Sequence, residues 1–148
     1  MPVWSFKYSR GALSEQDKVD LAKDITRLYT DVGLPAFFVN VQFYEMGPTD
    51  MLVGGESRSN FVNISIVHIA RTFKTETDRW DFLRKFDLIL ERFKAKGLDW
   101  EYFVVDALRE QWKINGMYPP LAGSDQEKEW ARLNRPVKHS RAHVPSLL

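Results

Sequence analysis

The stretch Ser14-Glu-Gln-Asp17-Lys-Val-Asp-Leu21-Ala22-Lys-Asp-Ile25-Thr-Arg-Leu28-Tyr29-Thr-Asp-Val32-Gly33 decides the fold when it is set against Thr75-Glu-Thr-Asp78-Arg-Trp-Asp-Phe82-Leu83-Arg-Lys-Phe86-Asp-Leu-Ile89-Leu90-Glu-Arg-Phe93. Each opens on a hydroxyl followed three residues later by an acid, the capping-box start of a helix. Apolar residues then recur at Leu21, Ala22, Ile25, Leu28, Tyr29 and Val32, one face at a 3.6-residue period. The second stretch repeats that face at Phe82, Leu83, Phe86, Ile89, Leu90 and Phe93, each 61 residues after its counterpart. Gly33 with Pro35 ends the first helix, and Gly97 ends the second.

Strand signals flank both helices. Val39, Val41 and Phe43 alternate after the first, and Trp100, Tyr102 and Val104 after the second. The spacing pairs an opening strand over 3–8 with one over 64–69, and Arg10 with Arg71. The chain therefore reads β-α-β twice, over about 2–46 and about 61–107, joined by a Gly/Pro/Ser-rich stretch at 47–60. Right-handed crossovers make each pair of strands parallel. The expected architecture is an α+β (α/β) fold, a four-stranded sheet with two helices on one face plus a C-terminal extension. The other sheet face would carry Phe38, Asn40, Gln42 and Tyr44, to be covered by a partner or by the C-terminal segment. Residues 1–123 form one expected domain. Residues 124–148 hold a short helix starting at Ser124, with Trp130 and Leu133 to dock it, and a basic tail.

Composition narrows the function. With 148 residues and a net charge of +1, no global field draws the chain to nucleic acid or an acidic membrane. The absence of cysteine removes disulfides and thiolate metal sites and fits a cytoplasmic setting. Gly-rich phosphate loops, dinucleotide fingerprints and nucleophile elbows are missing. His68, His139 and His143 lack metal-ligand spacing, so no metal or other cofactor is expected. His68, in line with Ile64 and Ile66, reads as a satisfied, partly buried strand histidine. Pro2 opens the first strand. Once Met1 is removed its amine is a base with an ordinary pKa of about 7.7–8.0, which burial or a cation such as Arg71 would lower.

A duplicated β-α-β chain opening Met-Pro resembles the tautomerase superfamily, in particular the branch around cis-3-chloroacrylic acid dehalogenase and its fungal oxalocrotonate tautomerase-type relatives. The similarity spans roughly residues 2–123 and includes Trp112-Lys-Ile-Asn-Gly-Met-Tyr-Pro-Pro120. It implies a homotrimer, a small anionic carboxylic acid as substrate, and Pro2 as the proton-transferring group. It further implies Arg71 as carboxylate binder and Tyr102 as a hydrogen-bond donor to the developing enolate. Lys74 falls where the family has a second arginine, Tyr29 where it has a helix histidine, and Ile114 or Asn115 where a glutamate activates water. Losing that glutamate disfavours dehalogenation, so the expected activity is cofactor-independent tautomerisation of a 2-keto, enol or unsaturated acid. Hydration or dehalogenation of 3-substituted acrylic acids, with Asp106 or Glu110 replacing the glutamate, and decarboxylation of a 3-oxo acid are the alternatives within the scaffold. Outside it stand a catalytically idle trimeric interaction protein and an RNA-binding module. The latter shares the β-α-β-β-α-β order, and Arg58-Ser-Asn-Phe-Val62 resembles its aromatic motif.

Overall fold

A computed structural model describes residues 1–138; His139, Arg141 and His143 of the basic tail lie outside the described residues. In chain order the main elements are β1 (Val3–Ser9), α1 (Glu15–Thr30), β2 (Asn40–Met46), β3 (Leu52–Val53) and β4 (Glu56–Ser57). They continue with β5 (Phe61–His68), α2 (Glu76–Ala95), β6 (Asp99–Asp106) and α3 (Asp125–Leu133). Short 3-10 turns cover Ala36–Phe38 and Arg109–Gln111. The main sheet runs β2-β1-β5-β6, with β1/β2 and β5/β6 parallel and the two halves joined antiparallel through β1 and β5. The 47–60 joiner folds a small hairpin of β3 and β4.

Both capping boxes form. Asp17 N–H donates to Ser14 Oγ (3.2 Å) while Asp17 accepts from Ser14 N–H (2.8 Å). Asp78 and Thr75 make the same exchange at 3.1 Å each way. At the far ends the repeat is looser. α2 has 20 residues and α1 has 16. Both helices close on a left-handed glycine, Gly33 (φ 83°) and Gly97 (φ 66°), followed by a leucine whose N–H returns to the last turn. Three extra residues before Gly97 keep Phe93 inside α2 and fully buried, whereas Val32 falls beyond α1 and is 58% exposed.

The opening strands correct the sequence spacing by one residue. In β1 the buried set is Trp4, Phe6 and Tyr8, and in β5 it is Val62, Ile64, Ile66 and His68. Val3, expected to match Ile64, faces the other side. Because side chains alternate, a one-residue slip exchanges the two faces. The match that keeps the core inside is Trp4 with Ile64 and Phe6 with Ile66, and Ser5 pairs directly with Ser65 across the centre of the sheet.

Both long helices lie on the face of Trp4. That ring meets Phe86 of α2 at 4.4 Å and Tyr29 of α1 at 6.2 Å. Side chains of this size each stabilise by roughly 1.5–3 kcal/mol when fully buried. The opposite face carries Ser5, Gln42, Tyr44, Asn63, Glu101, Phe103 and Val105, with Tyr44, Phe103 and Val105 about half exposed. Phe38 does not belong to it. It sits in the 3-10 turn before β2, fully buried against Trp112 (5.0 Å) and Trp130 (6.2 Å). The C-terminal segment thus covers the end of the sheet, while among the described residues Tyr44, Phe103 and Val105 of the open face stay about half exposed.

Candidate active site

The start of β1 and the ends of β5 and β6 share one edge of the sheet, because β1 is antiparallel to its neighbour β5 and β6 is parallel to it. His68 and Asp106 are register partners there. Three residues beyond each stands an arginine, Arg71 and Arg109. Pro2 is buried at this edge, and its carbonyl accepts from Asn40 N–H at 3.0 Å.

With Met1 in place the terminal amine is that of Met1. Burial first, then the charges of Arg109 and Arg71, lower its pKa from 8.0 to about 4. Removing Met1 moves the amine inward by roughly 3.5 Å, one residue of extended chain.

Two hollows flank Arg71. One, of about 280 Å³, is lined by Leu28, Tyr29, Val32, Phe73 and Phe82 together with His68, Arg71 and Lys85. The other, of about 420 Å³, is lined by Arg71, Lys74, Arg109, Glu110 and Leu121 among others. The first is aromatic and apolar with a border of mixed charge, Arg71 and Lys85 against Asp78 and Asp81; in the second, three cations stand against Glu110.

Both arginines are gripped by the C-terminal segment. Arg71 donates from Nη1 to Glu127 Oε1 (3.0 Å), from Nη2 to Glu127 Oε2 (2.9 Å) and from Nη1 to Ala70 O (3.1 Å). Arg109 donates to the carbonyls of Pro119 (2.9 Å) and Pro120 and lies 6.0 Å from the Trp112 ring centre. Burial lowers the Arg109 pKa, against the opposing charge of Glu127.

His68 closes a buried chain. Trp4 Nε1–H donates to the Tyr29 hydroxyl (3.0 Å), which lies 2.6 Å from His68 Nε2. The hydroxyl and Nε2 share one hydrogen bond whose direction follows the His68 tautomer, and the ring is held neutral. Burial does this, taking its pKa down to about 4 against the opposing charge of Asp106. Burial likewise raises the Tyr29 pKa.

The sequence candidates are therefore dispersed. Pro2 lies at the shared edge, Arg71 borders both hollows, Tyr29 lines the apolar one and Lys74 the basic one. The Tyr29 hydroxyl is committed to Trp4 and His68. Tyr102 lines neither hollow; its hydroxyl donates to Asp87 Oδ1 at 2.7 Å, and burial followed by that carboxylate raises its pKa. Asn115 (φ 50°) and Gly116 (φ 77°) form the two-residue turn between Ile114 and Met117, a hairpin corner that Asn-Gly suits. Asn115 also lines neither hollow.

Sequence reasoning missed Arg109 and Glu127. Arg109 had a legible signal, since it follows β6 as Arg71 follows β5. Glu127 had none; only docking of α3 brings it to Arg71, 56 residues away.

Comparison with known families and structures agrees with this architecture. The family described as "Putative oxalocrotonate tautomerase enzyme" matches residues 1–135. A protein from the thermophilic fungus Aspergillus fumigatus is 46% identical with a TM-score of 0.91, covering 94% of this chain and 98% of that one. RhCC of Rhodococcus jostii RHA1 is 37% identical with a TM-score of 0.88, covering 93% and 99%. N1, of the cis-3-chloroacrylic acid dehalogenase family, shares the fold at 20% identity and a TM-score of 0.68, covering 86% and 89%. No curated protein matched the sequence.

Proposed function

Because the chain belongs to this oxalocrotonate tautomerase-type family of the tautomerase superfamily, we propose that it is a cofactor-independent tautomerase of small 2-keto or enol carboxylic acids, with Pro2 as the proton-transferring group. The observation that carries the reading is the terminal amine of Met1, one residue from the buried Pro2, whose pKa is lowered by burial and by the charges of Arg109 and Arg71. A neutral secondary amine at this edge takes a proton from carbon or oxygen and returns it to the other. Arg71 binds the carboxylate and Lys74 adds a looser, point-like charge at the rim. Arg109 is the proposed donor to the developing enolate oxygen, in place of Tyr102, whose hydroxyl is bonded to Asp87. The apolar hollow beside Arg71 suits an aromatic or branched substituent on the acid.

Assaying one preparation for ketonisation of phenylenolpyruvate and for chloride release from cis-3-chloroacrylate tests the assignment. Ketonisation is expected to be faster, because Ile114 or Asn115 stands at the water-activating position. Faster chloride release would reverse the order and assign water activation to Glu110, which lines the basic hollow with Arg71.

The open sheet face supports a homotrimer. Phe103 (51% exposed) and Val105 (47%) on β6 and Tyr44 (45%) on β2 flank a polar centre at Ser5, Ser65 and Gln42. Light scattering is expected to report about three times 17.3 kDa. A monomer at micromolar concentration contradicts this assembly. Among the described residues no helix is long and apolar enough to cross a membrane.

A further inference from the structure

Resting on the reading of Arg71 as carboxylate binder, we infer that Glu127 of α3 is a positioning residue that clamps Arg71 from one end and leaves its side edge to the substrate. A guanidinium has five N–H groups in a fixed plane. The end-on pair goes to the two oxygens of Glu127, and the outer N–H of Nη1 to the Ala70 carbonyl. What remains is the side edge, Nε–H and the outer N–H of Nη2, which have no partner among the described residues. That edge is a second fork of the right width for a carboxylate.

An internal carboxylate on a substrate-binding arginine could instead be a stand-in that the substrate displaces. The surroundings of Glu127 argue against it. Glu127 is 2% exposed, and its Oε2 also accepts from Gly123 N–H at 2.7 Å. Its helix is capped by Ser124, whose Oγ accepts from Glu127 N–H at 3.2 Å, and anchored one turn on by the fully buried Trp130. Arg71, by contrast, keeps 30% of its side chain open. The carboxylate is the fixed member of the pair and the guanidinium is the member with a free edge. The C-terminal helix is thereby part of the site's supporting frame, because it sets the plane in which Arg71 meets its ligand.

The test measures KM and kcat for phenylenolpyruvate, and by calorimetry the Kd of phenylpyruvate and of its methyl ester, in wild type, Glu127→Gln and Glu127→Asp. Wild type is expected to prefer the acid over the ester. In Glu127→Gln the fork can swing, so KM rises about 10- to 100-fold, kcat changes less, and the acid-over-ester preference shrinks by a similar factor. Glu127→Asp keeps the charge but retracts it by one methylene and is expected to fall between the two. It carries the test if Glu127→Gln does not fold. Folded variants with wild-type KM and undiminished acid preference overturn the inference, even if their melting temperatures drop, since that pattern marks a merely structural contact. A wild type that prefers the acid but ketonises no enol sinks the proposed reaction and leaves the clamp to be judged by the binding arm.

Discussion

Pro2→Ala is expected to lower kcat/KM for an enol acid by about 100- to 10,000-fold, the range for losing a placed general acid–base group. The variant keeps a terminal amine after Met1 is removed, but a primary and more mobile one, so activity falls without vanishing. The proline ring ties the nitrogen to its own side chain and so fixes its aim at the start of β1. The pH profile makes the prediction sharper. A base works when neutral, so activity is lost as pH falls through the amine pKa. Burial and the charges of Arg109 and Arg71 lower the pKa of the Met1 amine, and the Pro2 amine, one residue along, is expected to feel the same burial and charges. The acid limb of kcat/KM is therefore expected well below pH 8. Lowering the field by Arg109→Ala should move that limb upward. Measured across pH 4–9, with intact mass confirming loss of Met1, a Pro2→Ala enzyme with wild-type rate and profile would rule out the amine as the base.

Arg71→Ala is expected to damage both catalysis and folding. KM rises because the ground-state carboxylate loses its fork, and kcat falls because the same contact persists in the transition state. The folding cost comes from what is left behind. Glu127 would remain nearly fully buried with its charge unpaired. Breaking a buried pair from one side costs about 3–5 kcal/mol, with the low end expected here because one edge of Arg71 is open. For a chain of this length that corresponds to roughly 10 °C in Tm. The double variant Arg71→Ala/Glu127→Gln should recover part of the loss, since the stranded charge is gone. Scanning calorimetry on wild type, the single variant and the double variant decides it. A single variant as stable as wild type would mean that Glu127 finds water or another partner when Arg71 leaves.

The duplicated helix pattern determined the architecture by itself. Caps at Ser14 and Thr75 and a 3.6-residue apolar face are local signals, fixed by backbone donors and side-chain period, and each is visible within a few residues. The same holds for the parallel pairs, which follow from chain order and crossover handedness. Strand register was not local. The 61-residue offset that aligned the helices made Val3 the counterpart of Ile64, and only the pairing of Ser5 with Ser65 showed which faces match. In a strand with period two, one residue decides between core and solvent.

At the site the division is similar. The places of Pro2, Arg71 and Lys74 at or beyond strand ends were legible, because chain order already brings those ends together; their proposed roles came with the family resemblance. Tyr102 and Tyr29 were legible as side chains on the core face, but where their hydroxyls go depends on neighbours from other elements. Asp87 takes the hydroxyl of Tyr102, and Trp4 with His68 takes that of Tyr29. Phe38 was assigned to the open face from its neighbours in sequence, and a 3-10 turn followed by two distant tryptophans buried it instead. Glu127 is the clearest case. Nothing in its own stretch distinguishes it from the other acids of a helix start, because a salt bridge to a residue 56 positions away is made by packing alone. Periodicity and caps act over one or two turns and are written in the sequence; contacts between elements exist only once the elements have docked.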